Sequence, residues 1–263
     1  MTISRYLSKI TLPIFVSLIF LFLYLPIVIL ITSSFQESAA ISSFNLKKIS
    51  LKWYIQLFNS PEIFRSFYIS VIVSISATVL GLFMSLSLVY YNLITNRGKR
   101  TPYLFYINII IPEIVLAVSL LIFLSYLNIK LSIFTLIIAH TVLVLGYILP
   151  IIYSRYISID KNILEASLDL GATLTKTFFK IIIPYLMPAI LASSLLAFIL
   201  SFDDFILSFF LSSGEDQTLS LFIYSLIKSG TSPVISALST IMIIISSFLV
   251  MLFCFLNTKT KIF

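Results

Sequence analysis

Six stretches of the chain, about 10–33, 67–91, 103–127, 131–154, 184–211 and 233–257, are predominantly apolar and contain no Lys or Arg. A helix needs roughly 20 such residues to cross the hydrocarbon core of a bilayer, so these runs decide the class of the molecule. They are continuously apolar rather than alternating. That selects helices over a barrel, because a helix satisfies its backbone hydrogen bonds within one segment. Composition agrees: 60% of the residues are hydrophobic and 10% are charged, against roughly 45–50% and about 25% in a soluble domain. A water-soluble enzyme and a disordered chain are both excluded. The first run follows Arg5 and Lys9 as a secretory signal would. It exceeds the roughly 7–15 apolar residues of a signal core and reads as a retained helix. The expectation is an all-α membrane protein, one transmembrane domain over 1–263 with six helices.

The basic balance, 17 Lys+Arg against 10 Asp+Glu, reads as a topology signal, with membrane lipid rather than nucleic acid as the expected partner. With the N-terminus inside, the inner segments hold Arg5, Lys9, Arg97, Lys99, Arg100, Arg155, Lys161, Lys176, Lys180, Lys259 and Lys261. The outer segments hold Lys47, Lys48, Lys52, Arg65, Lys130 and Lys228. This bias predicts both termini in the cytoplasm, with 34–66 outside and 155–183 inside. Trp53, Tyr54 and Phe58 in the outer segment read as interface anchors. A single Cys (Cys254) and a single His (His140) offer no disulfide framework and no metal cluster. His140 reads as a packed residue or an interhelical hydrogen bond.

The inner segment 155–183 is longer than a connection needs. Asp160 is a suitable N-cap and Gly171 a natural helix end, so residues 161–170 read as a short helix. Ile163, Leu164, Leu168 and Leu170 give it apolar contacts. A second helix starts after Thr173, carries Phe178, Phe179, Ile181 and Ile182, and runs up to Pro184. Within this loop Glu165, Ala166, Gly171, Ile181 and Pro184 stand at the spacings of a motif, Glu-Ala-Ala, three residues, Gly, nine residues, Ile-x-Leu-Pro. Ser167 replaces its second Ala and Ile183 its Leu. Five such matches arise by chance on the order of once in a million placements, so the chain resembles the permease subunits of ABC importers. The resemblance implies that Glu165, Ala166, Ser167, Gly171, Ile181 and Pro184 dock into a dimer of ATP-binding subunits. No G-x-x-x-x-G-K-[ST] phosphate loop is present. ATP and Mg are therefore expected on that partner, with no cofactor, catalytic residue or metal in this chain.

Three acids fall within the apolar runs: Glu113, Asp203 and Asp204. Each costs about 3 kcal/mol at mid-helix on the insertion scale, and no span holds a Lys or Arg to offset them. Protonation, a partner subunit or a watery cavity that accepts cations remain as solutions. Glu113 follows Pro112, which can open or kink its helix. On a continuous fifth helix Ser194, Ser201, Asp204 and Ser208 share one face, with Asp203 about 100° away. Small-residue stripes at Ser66, Ser70, Ser74, Gly81 and Ser85, and at Ser232, Ser236, Ser239 and Ser246, read as close helix packing.

Ser201-Phe202-Asp203-Asp204-Phe205 adds to the resemblance, as do Lys52-Trp53-Tyr54, Pro112-Glu113-Ile114-Val115, Tyr153-Ser154-Arg155 and Ile223-Tyr224-Ser225. Over roughly 10–257 the chain resembles the second permease subunit of spermidine/putrescine importers. This implies a type I ABC importer permease (MetI-like) fold in a bacterial cytoplasmic membrane. It implies a polyamine path lined by Glu113, Asp203, Asp204 and Ser201, with Trp53 at its outer mouth. A second related permease and an extracytoplasmic polyamine-binding protein are the further partners implied. The alternatives are a permease for another cationic or small solute, and a self-contained cation channel or secondary transporter. An intramembrane aspartyl protease would need two Asp meeting from different helices, which neighbouring Asp203 and Asp204 do not supply.

Overall fold

A computed structural model describes residues 2–36, 49–95, 107–214, 216–230 and 233–260. The basic turn Arg97-Gly98-Lys99-Arg100, Lys47, Lys48, Ser232, Lys261 and the start of the expected third span lie outside the described residues. Within them the chain is helical, and its strand-like pairing is the bridge Gln36–Ile49. The helices are α1 (Thr2–Ser33), α2 (Lys52–Phe58), α3 (Pro61–Thr95), α4 (Ile107–Ile110), α5 (Glu113–Tyr126) and α6 (Ile133–Ile157). They continue with α7 (Lys161–Asp169), α8 (Leu174–Thr177), a π-helical segment Phe178–Ile182, and α9 (Ile183–Asp203). α10 (Ile206–Leu211), α11 (Leu219–Ser229) and α12 (Pro233–Thr260) complete the order. Among the described residues, five helical stretches are long and apolar enough to cross a membrane: Leu12–Ser34, Pro61–Thr95, Ile133–Ile157, Leu174–Asp203 and Pro233–Met251.

Two of the expected spans are broken, the third at the opening expected of Pro112 and the fifth at a place the sequence reading treats as continuous. In the third, α4 stops at Ile110 and α5 starts at Glu113. Pro112, with φ −56° and ψ 134°, is its N-cap. A proline lacks an N–H and pushes the residue before it out of the α region. Pro112 therefore ends one helix, and its carbonyl receives the first bonds of the next, from Val115 and Leu116. In the fifth, α9 ends at Asp203 and Asp204 is extended, with φ −64° and ψ 128°. Its carboxylate accepts the N–H of Leu207 through Oδ1 and of Ser208 through Oδ2. That is a cap, and an Asp side chain that satisfies free N–H groups replaces the preceding helical turn.

The chain divides into two units. The first comprises residues 1–61 and 225–245. In it, α1 exposes its apolar side chains from Leu12 to Ile29 on every side, as a helix solvated by lipid tails does. The Ser34 and Tyr54 hydroxyls bond at 2.7 Å. The second comprises residues 62–224 and 246–263, and α6 is its central helix. One core cluster joins Ala77 and Val89 of α3, Val144, Ile148 and Ile152 of α6, Phe178 and Ile182, and Leu186 and Ala197 of α9. Another joins Ile69 and Val73 of α3, Ala117 and Leu124 of α5, Leu136, Ala139 and Leu143 of α6, and Leu207 and Leu211 of α10. Gly81 lets α3 approach α6 closely: a Cβ there would lie 2.8 Å from Ile148 Cδ1.

The loop between α6 and α9 is a helix, a turn and a helix, as expected. Asp160 caps α7 through Asn162 N–H at 2.9 Å. α7 ends in a Schellman arrangement, with Gly171 at φ +80°, Gly171 N–H on Leu168 O and Ala172 N–H on Ser167 O. Thr173 caps α8. The expected stop at Pro184 does not occur, since a π-helical segment carries the chain directly into α9. A proline in a helix leaves a carbonyl one turn back without its donor, and a widened turn absorbs that mismatch.

Candidate functional site

The two helix breaks of the second unit face one cavity. It has a volume of about 700 Å³, and its lining includes Pro112, Glu113, Leu116, Leu143, Tyr147, Asp203, Asp204 and Phe205. Non-helical backbone at membrane depth persists only where it is buried in protein or lines a water-filled space. Glu113 opens α5, where the helix N-terminus favours negative charge. Its carboxyl borders the same cavity as that of Asp204. Asp203 is exposed at the end of α9, Glu113 is half-buried, and Asp204 is only 6% exposed. The three acids singled out from the sequence therefore line one site, in three different states of exposure.

Asp204 has a partner that the sequence reading passed over. The partner is an imidazole, a polar neighbour rather than a Lys or Arg counter-charge. His140 of α6 is fully buried, and its Nε2 lies 3.5 Å from Asp204 Oδ2. Its Nδ1 lies 2.8 Å from Ser201 Oγ, which is the interhelical hydrogen bond expected of it. Ser208 Oγ also approaches Nε2, at 3.5 Å. Ser201, Asp204 and Ser208 thus converge on His140 although the helix does not run through them. Ser194 does not join them, because its hydroxyl turns back to Leu191 O. The backbone is anchored as well: Ser220 Oγ donates to Asp204 O at 2.7 Å, and Leu219 N–H to Ser70 Oγ at 2.8 Å. Ser70 is therefore a bonded group as well as a packing residue. The legible signal for the pairing was simply one buried imidazole and an acid-rich span in the same chain.

Trp53 belongs to the first unit. Its indole N–H donates to Gln36 O, and Lys52 Nζ sits 5.3 Å from its ring centroid. The loop residues form a separate surface on the second unit. Glu165 and Ala166 of α7 are exposed, Gly171 and Pro184 are exposed, and Ile181 is half-buried. Ser167 is buried, and its hydroxyl bonds Thr177 Oγ1 at 2.9 Å, so it joins α7 to α8 from within. Ile163, Leu168, Leu170 and Phe179 leave large apolar side chains exposed, whereas Leu164 packs on the core. Among the described residues no group of three His, Cys, Asp or Glu side chains is arranged to hold a metal.

Residues 77–259 match the family described as binding-protein-dependent transport system inner membrane component. The chain belongs to this family. It is the permease subunit of an ABC importer. The permease is 36% identical over 252 residues to the spermidine/putrescine transport system permease protein PotC of Haemophilus influenzae, covering 94% of this chain and 96% of that one. Escherichia coli PotC is 35% identical over 88% of each chain. The putrescine transport system permease protein PotI of Escherichia coli is 30% identical over 85% of this chain and 82% of the other. Among solved structures, the permease resembles a chain of a bacterial ABC transporter involved in the import of the acidic polysaccharide alginate. The TM-score is 0.74 at 18% identity, over 95% of this chain and 98% of that one. The inward-facing MetNI methionine ABC transporter gives a TM-score of 0.58 at 18% identity, over 76% and 93%. The fold is accordingly the MetI-like fold of type I ABC importer permeases. Membership of a transport family sets aside the protease and the self-contained channel.

Proposed function

We propose that the permease conducts polyamines, spermidine or putrescine, across a bacterial cytoplasmic membrane, with Glu113, Asp203 and Asp204 lining the path. The observation that carries this reading is that all three acids border one cavity at two helix breaks. The names of the relatives point the same way. A polyamine is a flexible polycation, and carboxylates replace part of its hydration as charged rings do for cations in pores. Each charge-assisted hydrogen bond contributes about 1.5–3 kcal/mol, which suits brief binding during passage. Tight capture then falls to an extracytoplasmic polyamine-binding protein. Ser201 supports the path through its bond to His140.

The remaining parts of the proposal follow the importer plan. A second related permease completes the path, and a dimer of ATP-binding subunits uses ATP and Mg in the cytoplasm. Glu165, Ala166, Ser167, Gly171, Ile181 and Pro184 form the coupling surface within loop 155–183, and the exposed apolar side chains of α7 support that role. Both termini are cytoplasmic in a six-span topology, so a label near Gln56 is reached from outside.

Uptake of labelled spermidine and putrescine by the complex in proteoliposomes tests the reading. Glu113→Gln, Asp203→Asn and Asp204→Asn keep size and remove charge, so assembly survives and uptake falls in at least two of the three. Normal uptake by all three variants would sink the assignment of the path.

A further inference from the structure

His140 touches both sides of the break between α9 and α10. Its Nδ1 meets Ser201 Oγ in the last turn before the break, at 2.8 Å. Its Nε2 faces the Asp204 carboxyl at the break and Ser208 Oγ after it, each at 3.5 Å. The ring is fully buried and its own helix is the most enclosed of the long helices. A neutral imidazole has one donor and one acceptor nitrogen. When the Ser201 hydroxyl donates to Nδ1, the N–H sits on Nε2, the nitrogen that faces both the Asp204 carboxyl and Ser208 Oγ. Asp204 is engaged elsewhere too, because it accepts the N–H groups of Leu207 and Ser208. Asp203, by contrast, is exposed beside the same cavity, and Glu113 is half-buried there. The acids therefore differ in what they are free to do.

We infer that His140 is a positioning residue: it pins Asp204 and the α9–α10 break so that Asp203 and Glu113, rather than Asp204, meet the passing cation. This rests on the cavity being the substrate path. His140 is bonded to Ser201 and packed against Asp204 and Ser208, so removing it frees polar groups on both sides of the break to shift. The two side chains should therefore act as a unit and fail as one.

The test measures spermidine uptake by the reconstituted complex, normalised to assembled permease. The variants are His140→Leu, His140→Gln, His140→Asn, Asp204→Asn and the double variant His140→Leu with Asp204→Asn. A glutamine amide reaches the place of Nε2, whereas an asparagine amide stops near Nδ1. Expected are a tenfold or greater fall in maximal rate for His140→Leu with half-saturation within twofold, and recovery to within threefold of wild type for His140→Gln. The double variant should be no more than twofold below the worse single one. Full activity of His140→Leu, or losses that multiply in the double variant, would overturn the inference. If His140→Leu fails to assemble, the Gln and Asn variants decide, and equal activities refute the role. Transport of neither polyamine by the wild type would instead remove the polyamine reading. The positioning role is then read without substrate, from modification of Asp203→Cys in a Cys254→Ser background by a membrane-impermeant methanethiosulfonate. A threefold or larger rate change on adding His140→Leu upholds it, and an unchanged rate refutes it.

Discussion

Two aspartates of this chain each start a helix. Asp160 at the head of α7 is exposed and gives one carboxylate oxygen to Asn162 N–H at 2.9 Å. Asp204 at the head of α10 is 6% exposed and gives its two oxygens to Leu207 and Ser208 N–H at 3.4 and 3.2 Å. The local act is the same. At the surface, water solvates whatever the cap leaves over, and the arrangement stands alone. Inside, what the cap leaves over must be met by protein, and His140 and Ser208 gather around it. A buried cap therefore organises a site, whereas an exposed one only ends a loop.

Breaking each cap should separate the two settings, with the largest effect inside. Asp204→Ala strips the cap and leaves the buried backbone N–H groups of Leu207 and Ser208 unsatisfied, at about 1–3 kcal/mol for each. The thermal midpoint should drop by roughly 2–4 °C per kcal/mol lost, and spermidine uptake normalised to assembled permease should fall further than in any of the other single variants. Asp204→Asn separates the two parts of the effect, because Asn also caps helices, and should retain more stability than Asp204→Ala.

The next effect is at the surface loop. Gly171→Val puts a β-branched residue at φ +80°, where even an ordinary L-residue costs about 1–2 kcal/mol. Nothing lies within 4 Å of the added Cβ, so the strain is confined to the backbone. Membrane insertion should be unaffected, while transport per ATP hydrolysed falls severalfold. A normal ratio would contradict the coupling role.

Ser167→Ala restores the residue of the family motif and still should destabilise, because it leaves the buried Thr177 hydroxyl without its partner, at about 1–3 kcal/mol. Adding Thr177→Val should recover most of that loss in the thermal midpoint. A neutral Ser167→Ala would show that the α7–α8 link matters little.

The smallest effect belongs to Asp160→Ala, about 1 kcal/mol for an exposed cap. Uptake should stay within roughly twofold of wild type, because the loss falls on local helix stability at the surface. A loss as large as that of Asp204→Ala would erase the contrast between the two caps.

The long helices were legible because hydropathy sums over some 20 residues and needs no partner. The Schellman end at Gly171 and the cap at Asp160 were legible because caps are local chemistry. The same local rule was available at Asp204, where an acid precedes Phe205-Ile206-Leu207-Ser208. It was hidden because the run 184–211 stays apolar through the break. Pro112 announced an opening but not its depth. The meeting of His140 with Ser201, 61 residues apart, depends on how α6 packs against α9, which no periodicity within either helix encodes. Nor does the motif spacing reveal that Ser167 and Thr177 bond each other.

The π-helical segment Phe178–Ile182 has a consequence for how this stretch tolerates change in length. A π turn holds one residue more than an α turn, so a surplus residue is stored between the cytoplasmic loop and α9. Deleting one residue there collapses the wide turn into an ordinary one and keeps the faces on both sides in phase. Deleting one from α9 itself would swing everything beyond it by about 100° and carry Ser201 away from His140. Insertions and deletions in this part of the chain are thus sorted by position: the wide turn is the place where the chain can be shortened without rewriting the helix that follows.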